Sequence, residues 1–134
     1  MTQEEKSLLI KDLCARLPYG VQVQDTRCGI SGKLHDMLVL PLYKGNDVHD
    51  YIATTNFYTD CYYDDIVLFK PYLFPLSSMT EEQKHEFIDT CTLLYYATFG
   101  WTDKTFDWLN KNHFDFRDLI PMGLAIDATG LNIY

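Results

Sequence analysis

Apolar and polar positions follow three rhythms along the 134 residues of the chain. At the N-terminus Thr2 stands three residues before Glu5, a T-x-x-E arrangement in which each side chain can satisfy the other's backbone N–H at a helix start. Ile10, Leu13, Cys14 and Leu17 then recur at helical spacing, with Lys6, Lys11 and Asp12 mostly off that stripe. Pro18 and Gly20, in the turn LPYG, end the helix. From Val21 to Thr26 the period drops to two: Val21 and Val23 alternate with Gln22 and Gln24, the mark of a half-buried strand. CGISG is a turn, and residues 33–42 (KLHDMLVLPL) form a second strand that Pro41 ends or confines to an edge. KGND is a further turn, residues 51–55 a third strand and NFYTD a loop. Residues 61–70 (CYYDDIVLFK) close the group, with Ile66 to Phe69 expected to be buried.

The second half reads as helices. PYLFPLSS, with two prolines and two serines, is expected to be an ordered, extended connector. Thr80 caps the next helix, with Gln83 at the third helical position and Glu81 and Glu82 in the first turn, where the helix dipole favours anions. Phe87, Cys91, Leu94 and Thr98 share a face of this helix, and Gly100 is the expected stop. Thr102 caps a third helix, bracketed by Trp101 and Phe106 as a hydrophobic staple. Asp115 caps a fourth, very short helix stapled by Phe114 and Leu119 and halted near Ile120 by Pro121. After Gly123, LAID can pair with LNIY in a final hairpin.

Strands at short spacing with no helix between them argue for an antiparallel meander and against a parallel nucleotide-binding sheet. Neither a G-x-G-x-x-G nor a G-x-x-x-x-G-K-[ST] run occurs, and no cofactor is expected. The expected fold is a single α+β domain: a small, bent antiparallel sheet with an N-terminal helix and C-terminal helices packed on it. Closure of the sheet into a small SH3-like barrel is an open alternative.

Composition narrows function more than fold. A formal net charge of −8, with Lys and Arg scattered, gives little basis for non-specific nucleic-acid binding. No apolar run is long enough to span a membrane. Met1 is followed at once by polar TQEEK, and none of Cys14, Cys28, Cys61 and Cys91 makes a C-x-x-C pair; these features imply a cytoplasmic setting with free thiols, two or three of them core filler, and no metal site. Aromatic residues, at 15%, exceed what a core this size needs, which points to a groove or contact surface.

His113, Asp115 and Asp118 form the most site-like cluster, since a His-x-Asp can orient an imidazole or hold a metal. Capping by Asp115 and closure of the preceding helix by His113 explain the same residues without catalysis. Asp47, His49 and Asp50 fit a solvated turn, and Asp64 and Asp65, adjacent on a strand, face opposite ways. No serine has a nucleophile context, so no catalytic residue is assigned. The remaining signal is a set of rings (Tyr62, Tyr63, Tyr72, Phe74, Tyr95, Tyr96, Phe99 and Trp101) that covers a helix–sheet junction or, with Arg117 or Lys70, stacks a ligand. Tyr72, Phe74, Trp108, His113 and Arg117 are the binding candidates.

The segments LLIKDLCARLPYGV, KPYLFPLSSMTEEQKHEF and FDWLNKNHFDFRDLIPMGLAI, which together cover less than half of the chain, resemble a family of short hypothetical proteins from gut Bacteroidales and their phages and mobile elements. Relatives tend to carry Arg where this chain has Phe74, and L-I-E-K-G-L where it has Leu119 to Leu124. The second departure is expected to shorten the helix after Asp115. The resemblance implies a phage or mobile-element accessory gene and no particular chemistry. The expected function is therefore non-catalytic: binding of a host protein through an acidic, aromatic-rich surface, or alternatively of a small anionic, nucleotide-like ligand in an aromatic pocket.

Overall fold

The computed structural model describes residues 2–40, 50–57, 60–65, 69–93 and 98–134, with side chains described throughout these except at 36–40, 50–57 and 60–65. The KGND turn therefore lies outside the described residues.

Helix α1 (Gln3–Arg16) starts on the expected capping box: the Thr2 hydroxyl accepts from the Glu5 N–H and the Glu5 carboxylate accepts from the Thr2 N–H. Its buried face differs from the expected stripe. Leu9, Asp12, Leu13 and Arg16 point inward, while Ile10 and Leu17 are half-buried and Cys14 is exposed. The helix is rotated so that one acid–base pair, four residues apart, enters the interior together. Cys28 is also exposed and Cys91 half-buried, so these three thiols do not fill the core. Leu17–Tyr19 add a 3-10 turn, and Gly20, at φ 70°, takes the left-handed conformation that reverses the chain.

Strand β1 (Gln22–Asp25) follows, then β2 (Ser31–Leu40), β3 (Asp50–Phe57), β4 (Asp60–Asp65) and β5 (Phe69–Pro75). The strand order β4-β3-β2-β1-β5 is extended by two short strands, β8 (Phe114–Asp115) and β9 (Ile126–Asp127), both paired with β5. Strands β1 to β4 form the expected antiparallel meander, β5 returns antiparallel to β1 instead of following β4, and β8 and β9 run parallel to β5. The sheet is thus mixed, and it is open: β5 pairs with β8 and β9 instead of returning to β4, so no barrel closes among the described residues.

The largest departure is β5 itself, which includes most of the segment expected to be a connector. It joins β1, β8 and β9, and Phe69, Pro71, Tyr72 and Leu73 are buried. Pro71 sits opposite Val23. At odd-numbered positions β1 turns its polar groups toward β2, as the Val21 carbonyl bound by Leu34 N–H and the Asp25 N–H bound to the Ile30 carbonyl show. The missing proline N–H therefore removes no bond from the β1–β5 ladder.

Helix α2 (Glu81–Thr90) has the expected Thr80–Gln83 capping box but ends ten residues short of Gly100. The Thr90 hydroxyl bonds back to the Phe87 carbonyl at 2.6 Å, and Cys91 is extended. The Thr90 carbonyl then accepts from the hydroxyls of Thr102 (2.7 Å) and Thr105 (3.0 Å), so the end of α2 is tied to the start of α3. Between them β6 (Thr92–Leu93) and β7 (Phe99–Gly100) form a two-stranded ribbon. Helix α3 (Asp103–Lys111) starts at Thr102, with the Trp101 and Phe106 rings 5.6 Å apart as the expected staple.

No fourth helix forms. Asp115 lies in β8, and its two carboxylate oxygens accept from the N–H groups of Leu119 (2.9 Å) and Ile120 (2.8 Å), bonds that hold a turn across Pro121 instead of starting a helix. Nor does the final hairpin form: β9 pairs with β5, and residues 131–134 are not a strand. The core unites Leu9 and Leu13 of α1, Val21, Val23, Leu34, Phe69 and Leu73 of the sheet, and Leu119, Leu124 and Ala125 of the last turn.

Replacing Asp115 by Ala leaves the Leu119 and Ile120 amides without their acceptor beside the buried Leu119 side chain. The expected loss is about 2 kcal/mol or more in urea unfolding. A loss under about 0.5 kcal/mol would mean that other groups hold the turn.

Candidate functional site

Two places combine unusual chemistry with defined geometry. The first is a buried network of charges and rings where α1, β5, α3, β8 and the last residues meet. Arg16 on α1 is fully buried and donates from Nε to both oxygens of Asp12, one turn earlier, at 2.9 Å. Its Nη2 donates to the Phe114 carbonyl at 2.6 Å, and Arg117 Nη1 donates to Asp12 Oδ1 at 2.6 Å. Asp12 therefore serves two guanidinium groups, and the ring of Phe116 lies 5.5 Å from the Arg16 guanidinium and 4.2 Å from that of Arg117. Burial pulls the Arg16 pKa below its ordinary value, while Asp12 opposes that pull.

Beside this network His113 ends α3 in the left-handed region, at φ 61°. Its N–H bonds the Asn110 carbonyl and its carbonyl accepts from Phe74 N–H at 2.8 Å, which locks β5 to the end of α3. The imidazole stacks on the Tyr134 ring, centroids 3.8 Å apart and planes within 11°. Desolvation, and then the nearby Arg16 cation, lower its pKa to about 4, so the ring is neutral at pH 7. Tyr134 caps the assembly. Its hydroxyl accepts from Gln22 N–H at 2.8 Å and donates to the Tyr72 carbonyl at 2.9 Å, and burial raises its pKa. Arg16 Nη1, Asn110 Oδ1 and His113 Nδ1 are buried with no hydrogen-bond partner among the described residues.

All five sequence candidates belong to this connected interior. Tyr72 is buried, with its hydroxyl 2.6 Å from Ser31 Oγ. Phe74 packs against Phe114 at 6.1 Å and Tyr134 at 5.9 Å, and Trp108 stacks on Phe114 at 5.5 Å with planes within 11°. The rings pack on one another, and His113 lines none of the surface depressions described below. Sequence reasoning missed Asp12, Arg16, Phe114 and Tyr134. The opposite charges of Asp12 and Arg16 four residues apart were a signal for the first two, whereas nothing local marked Tyr134. Of the other rings, Tyr62, Tyr63, Tyr95 and Tyr96 lie outside the described side chains, while Phe99 and Trp101 are exposed.

The second place is a surface groove of about 380 Å3 lined by Leu76, Met79, Lys84, Phe87, Ile88 and Trp101. Leu76 belongs to the 3-10 turn Leu76–Ser78, which ends β5; Lys84, Phe87 and Ile88 share one side of α2. Phe87 meets Trp101 edge-on at 5.7 Å, and Trp101 meets Phe106 and Phe116 at 5.6 and 6.2 Å. Leu76, Ile88, Trp101 and Phe106 are each more than a third exposed, a contiguous apolar surface. Glu81, Glu82, Glu86 and Asp89 of α2 are exposed; Glu81 lies on the groove side of the helix, paired with Lys84 at 3.0 Å, and the other three lie towards its opposite side. A neighbouring polar depression of about 420 Å3 is lined by Asp89, Thr90, Cys91, Thr102, Asp103 and Lys104, and a third, of about 380 Å3, by residues of α1.

No helix among the described residues is long and apolar enough to cross a membrane. Comparison with known proteins finds no matching family model, no matching curated protein and no matching solved structure.

Two measurements check the buried network. Asp12→Ala strands two guanidinium groups in the interior and is expected to cost about 3–5 kcal/mol, whereas Asp12→Leu combined with Arg16→Met restores part of that loss. Equal destabilisation by the single and double changes would argue against charge isolation as the cause. Because folding lowers the His113 pKa to about 4, the unfolded chain takes up the proton first. This group's contribution is complete above about pH 6.5 and is lost as the pH falls towards 4, about 2 kcal/mol of it between pH 7 and 5. His113→Asn, a residue that tolerates the left-handed backbone, should flatten that part of the pH–stability curve. An unchanged slope would place the acid sensitivity elsewhere.

Proposed function

We propose that the chain is a non-catalytic accessory protein that acts by binding another protein, and that the groove between α2, the 3-10 turn and Trp101 is where the partner docks. The observation that carries this reading is the contiguous exposed set Leu76, Ile88, Trp101 and Phe106 over half-buried Met79 and Phe87, beside the acidic side chains of α2. A groove of this kind takes a short amphipathic segment: apolar side chains enter between Ile88 and Trp101 while a basic side chain meets Glu81 at the edge. Acidic flanks also speed encounter with a basic partner, an effect that salt weakens.

The partner in this reading is a host protein, and the resemblance to proteins of Bacteroidales phages and mobile elements supports an accessory gene carried by such an element, at work in the cytoplasm. The alternative of a nucleotide-like ligand stacked by Tyr72, Phe74 and Trp108 is less well supported, because those rings pack on one another and on Phe114 and Tyr134.

The test is crosslinking in host cells with a photoreactive residue at Lys84, repeated in chains carrying Trp101→Ala or Ile88→Glu. Ile88 is largely exposed, so its substitution should leave folding intact. One protein should crosslink to the parent chain, and either change should weaken its binding by about 30-fold or more, the loss of a central aromatic or aliphatic anchor. Retention of the same partner at unchanged affinity by both variants would remove the groove from the binding surface.

A further inference from the structure

Tyr134 occupies a site with the features of a ligand-binding slot. The register Asp25↔Phe69, Gln24↔Lys70, Val23↔Pro71 runs next to Gln22 opposite Tyr72. There the Tyr134 hydroxyl stands between the Gln22 N–H and the Tyr72 carbonyl, accepting from the first and donating to the second. One wall is the face of His113 at 3.8 Å, another the tilted ring of Phe74 at 5.9 Å. A backbone donor, a backbone acceptor, a stacking imidazole and an aromatic edge converge on one ring and one hydroxyl. Such an arrangement selects a group that is flat, apolar and able both to give and to accept one hydrogen bond, which is a phenol.

The wall is built at a conformational cost. His113 adopts a left-handed backbone although it is not glycine, and its Nδ1 is buried without a partner among the described residues, with the residue more than nine-tenths buried. Strained backbone and unmet polar atoms are tolerated where the surroundings force a side chain into place, and they concentrate at ligand clamps. The segment that delivers Tyr134 is, by contrast, held by local turn bonds, Thr129 N–H to Asp127 Oδ1 and Leu131 N–H to the Ala128 carbonyl. Thr129, Gly130, Leu131 and Asn132 are exposed, Ile133 is half-buried, Asn132 is itself left-handed at φ 52°, and Tyr134 keeps 46% of its surface exposed while its hydroxyl is bonded between the strands.

We infer that the slot between β1, β5 and His113 is a recognition site for a phenolic ring, filled in cis by Tyr134 and open to a phenol from outside when residues 129–134 swing away. The incoming ring is either the tyrosine side chain of a peptide or a free small phenol, which present the same chemistry. Tyr134 competes from within the same chain, at an effective concentration of roughly millimolar, so an outside ring binds weakly until the segment leaves. This site is separate from the groove, and its test does not depend on the docking proposal.

The experiment uses the full chain with Tyr134→Ala and titrates p-cresol, which reproduces the tyrosine side chain, against toluene, which lacks the hydroxyl. Binding is followed at the Gln22 backbone amide by NMR and through the melting temperature. The expected result is a saturable shift of the Gln22 amide and a rise in Tm with p-cresol. Binding should be at least tenfold weaker in the parent chain and at least tenfold weaker for toluene, which leaves Gln22 N–H and the Tyr72 carbonyl unmatched. No saturable shift in the variant, or equal binding of p-cresol and toluene, overturns the inference. If the variant does not fold alone, refolding with p-cresol should restore its near-ultraviolet circular dichroism where toluene does not, and failure of p-cresol to do so also overturns the inference. The pentapeptide GLNIY identifies the source: tighter binding than p-cresol indicates a tyrosine-bearing peptide, and equal binding indicates that the ring suffices.

Discussion

The structure depends on one buried cation. Arg16 sits in the interior at the end of α1, and its position is set by Asp12 one turn back and by two groups distant in sequence, the Phe114 carbonyl in β8 and, through Asp12, Arg117. A guanidinium out of water costs several kcal/mol unless it is matched, so α1 can dock only where that carboxylate and that carbonyl are both in place. An apolar residue at position 16 could sit on the sheet in several orientations. The planar fork of Arg16 accepts one, and it fixes the rotation of α1 and the position of β8 together. The network adds orientation more than stability, since a buried ion pair roughly breaks even against well-packed apolar side chains.

What Arg16 does for α1, β5 does for the sheet. This strand carries two prolines and still joins β1, β8 and β9, because Pro71 falls where β1 turns its polar groups the other way. The neighbours change along its length: β1 at Phe69–Pro71, β9 at Tyr72–Leu73, β8 at Phe74–Pro75. A sheet assembled this way has no continuous partner for β5, and the gap after β1 is filled by the Tyr134 hydroxyl. Side chain and backbone thus alternate as ladder elements on one strand.

The helix starts were legible in the sequence because capping is local. Thr2 with Glu5 and Thr80 with Gln83 both form their boxes, and Trp101 with Phe106 forms its staple. β1 was legible from Val21 and Val23 because one face is buried and the period is clean. The failures share one cause, which is that a distant partner overrode the local signal. PYLFPLSS looked like a connector because prolines are rare inside sheets, and only the orientation of β1 makes them harmless. Asp115 looked like a helix cap; it does bond backbone amides, but those of a turn that Pro121 prevents from becoming helical. Asp12 looked solvent-facing because the acceptors and donors that make its burial tolerable lie at Arg117 and Phe114. Among the binding candidates, Tyr72, Phe74, Trp108, His113 and Arg117 were singled out for ring and charge content. They do meet in space, through Phe114, Tyr134 and Asp12, none of which the sequence had placed among them.

The same rings link the surface groove to the slot that Tyr134 fills. Phe87 on the floor of the groove meets Trp108 at 6.0 Å, Trp108 stacks on Phe114, Phe114 meets Phe74, and Phe74 meets Tyr134. Close-packed rings do not deform smoothly, so a change at one end is absorbed locally unless some element has two discrete arrangements. Along this row the candidate for such an element is the exposed segment 129–134, whose ring is either in its slot or out of it. The groove needs no such movement, because its apolar side chains are exposed as the chain stands. Leaving about two-fifths of Ile88 and Trp101 exposed forgoes only that share of their burial free energy, roughly 1 kcal/mol each. Trp101 already has a structural partner in Phe106, and a smaller apolar residue would staple α3 with less exposed ring. The indole also packs on Phe87 and Phe116, so much of it serves the fold, and in the docking proposal its exposed part is what a partner would meet.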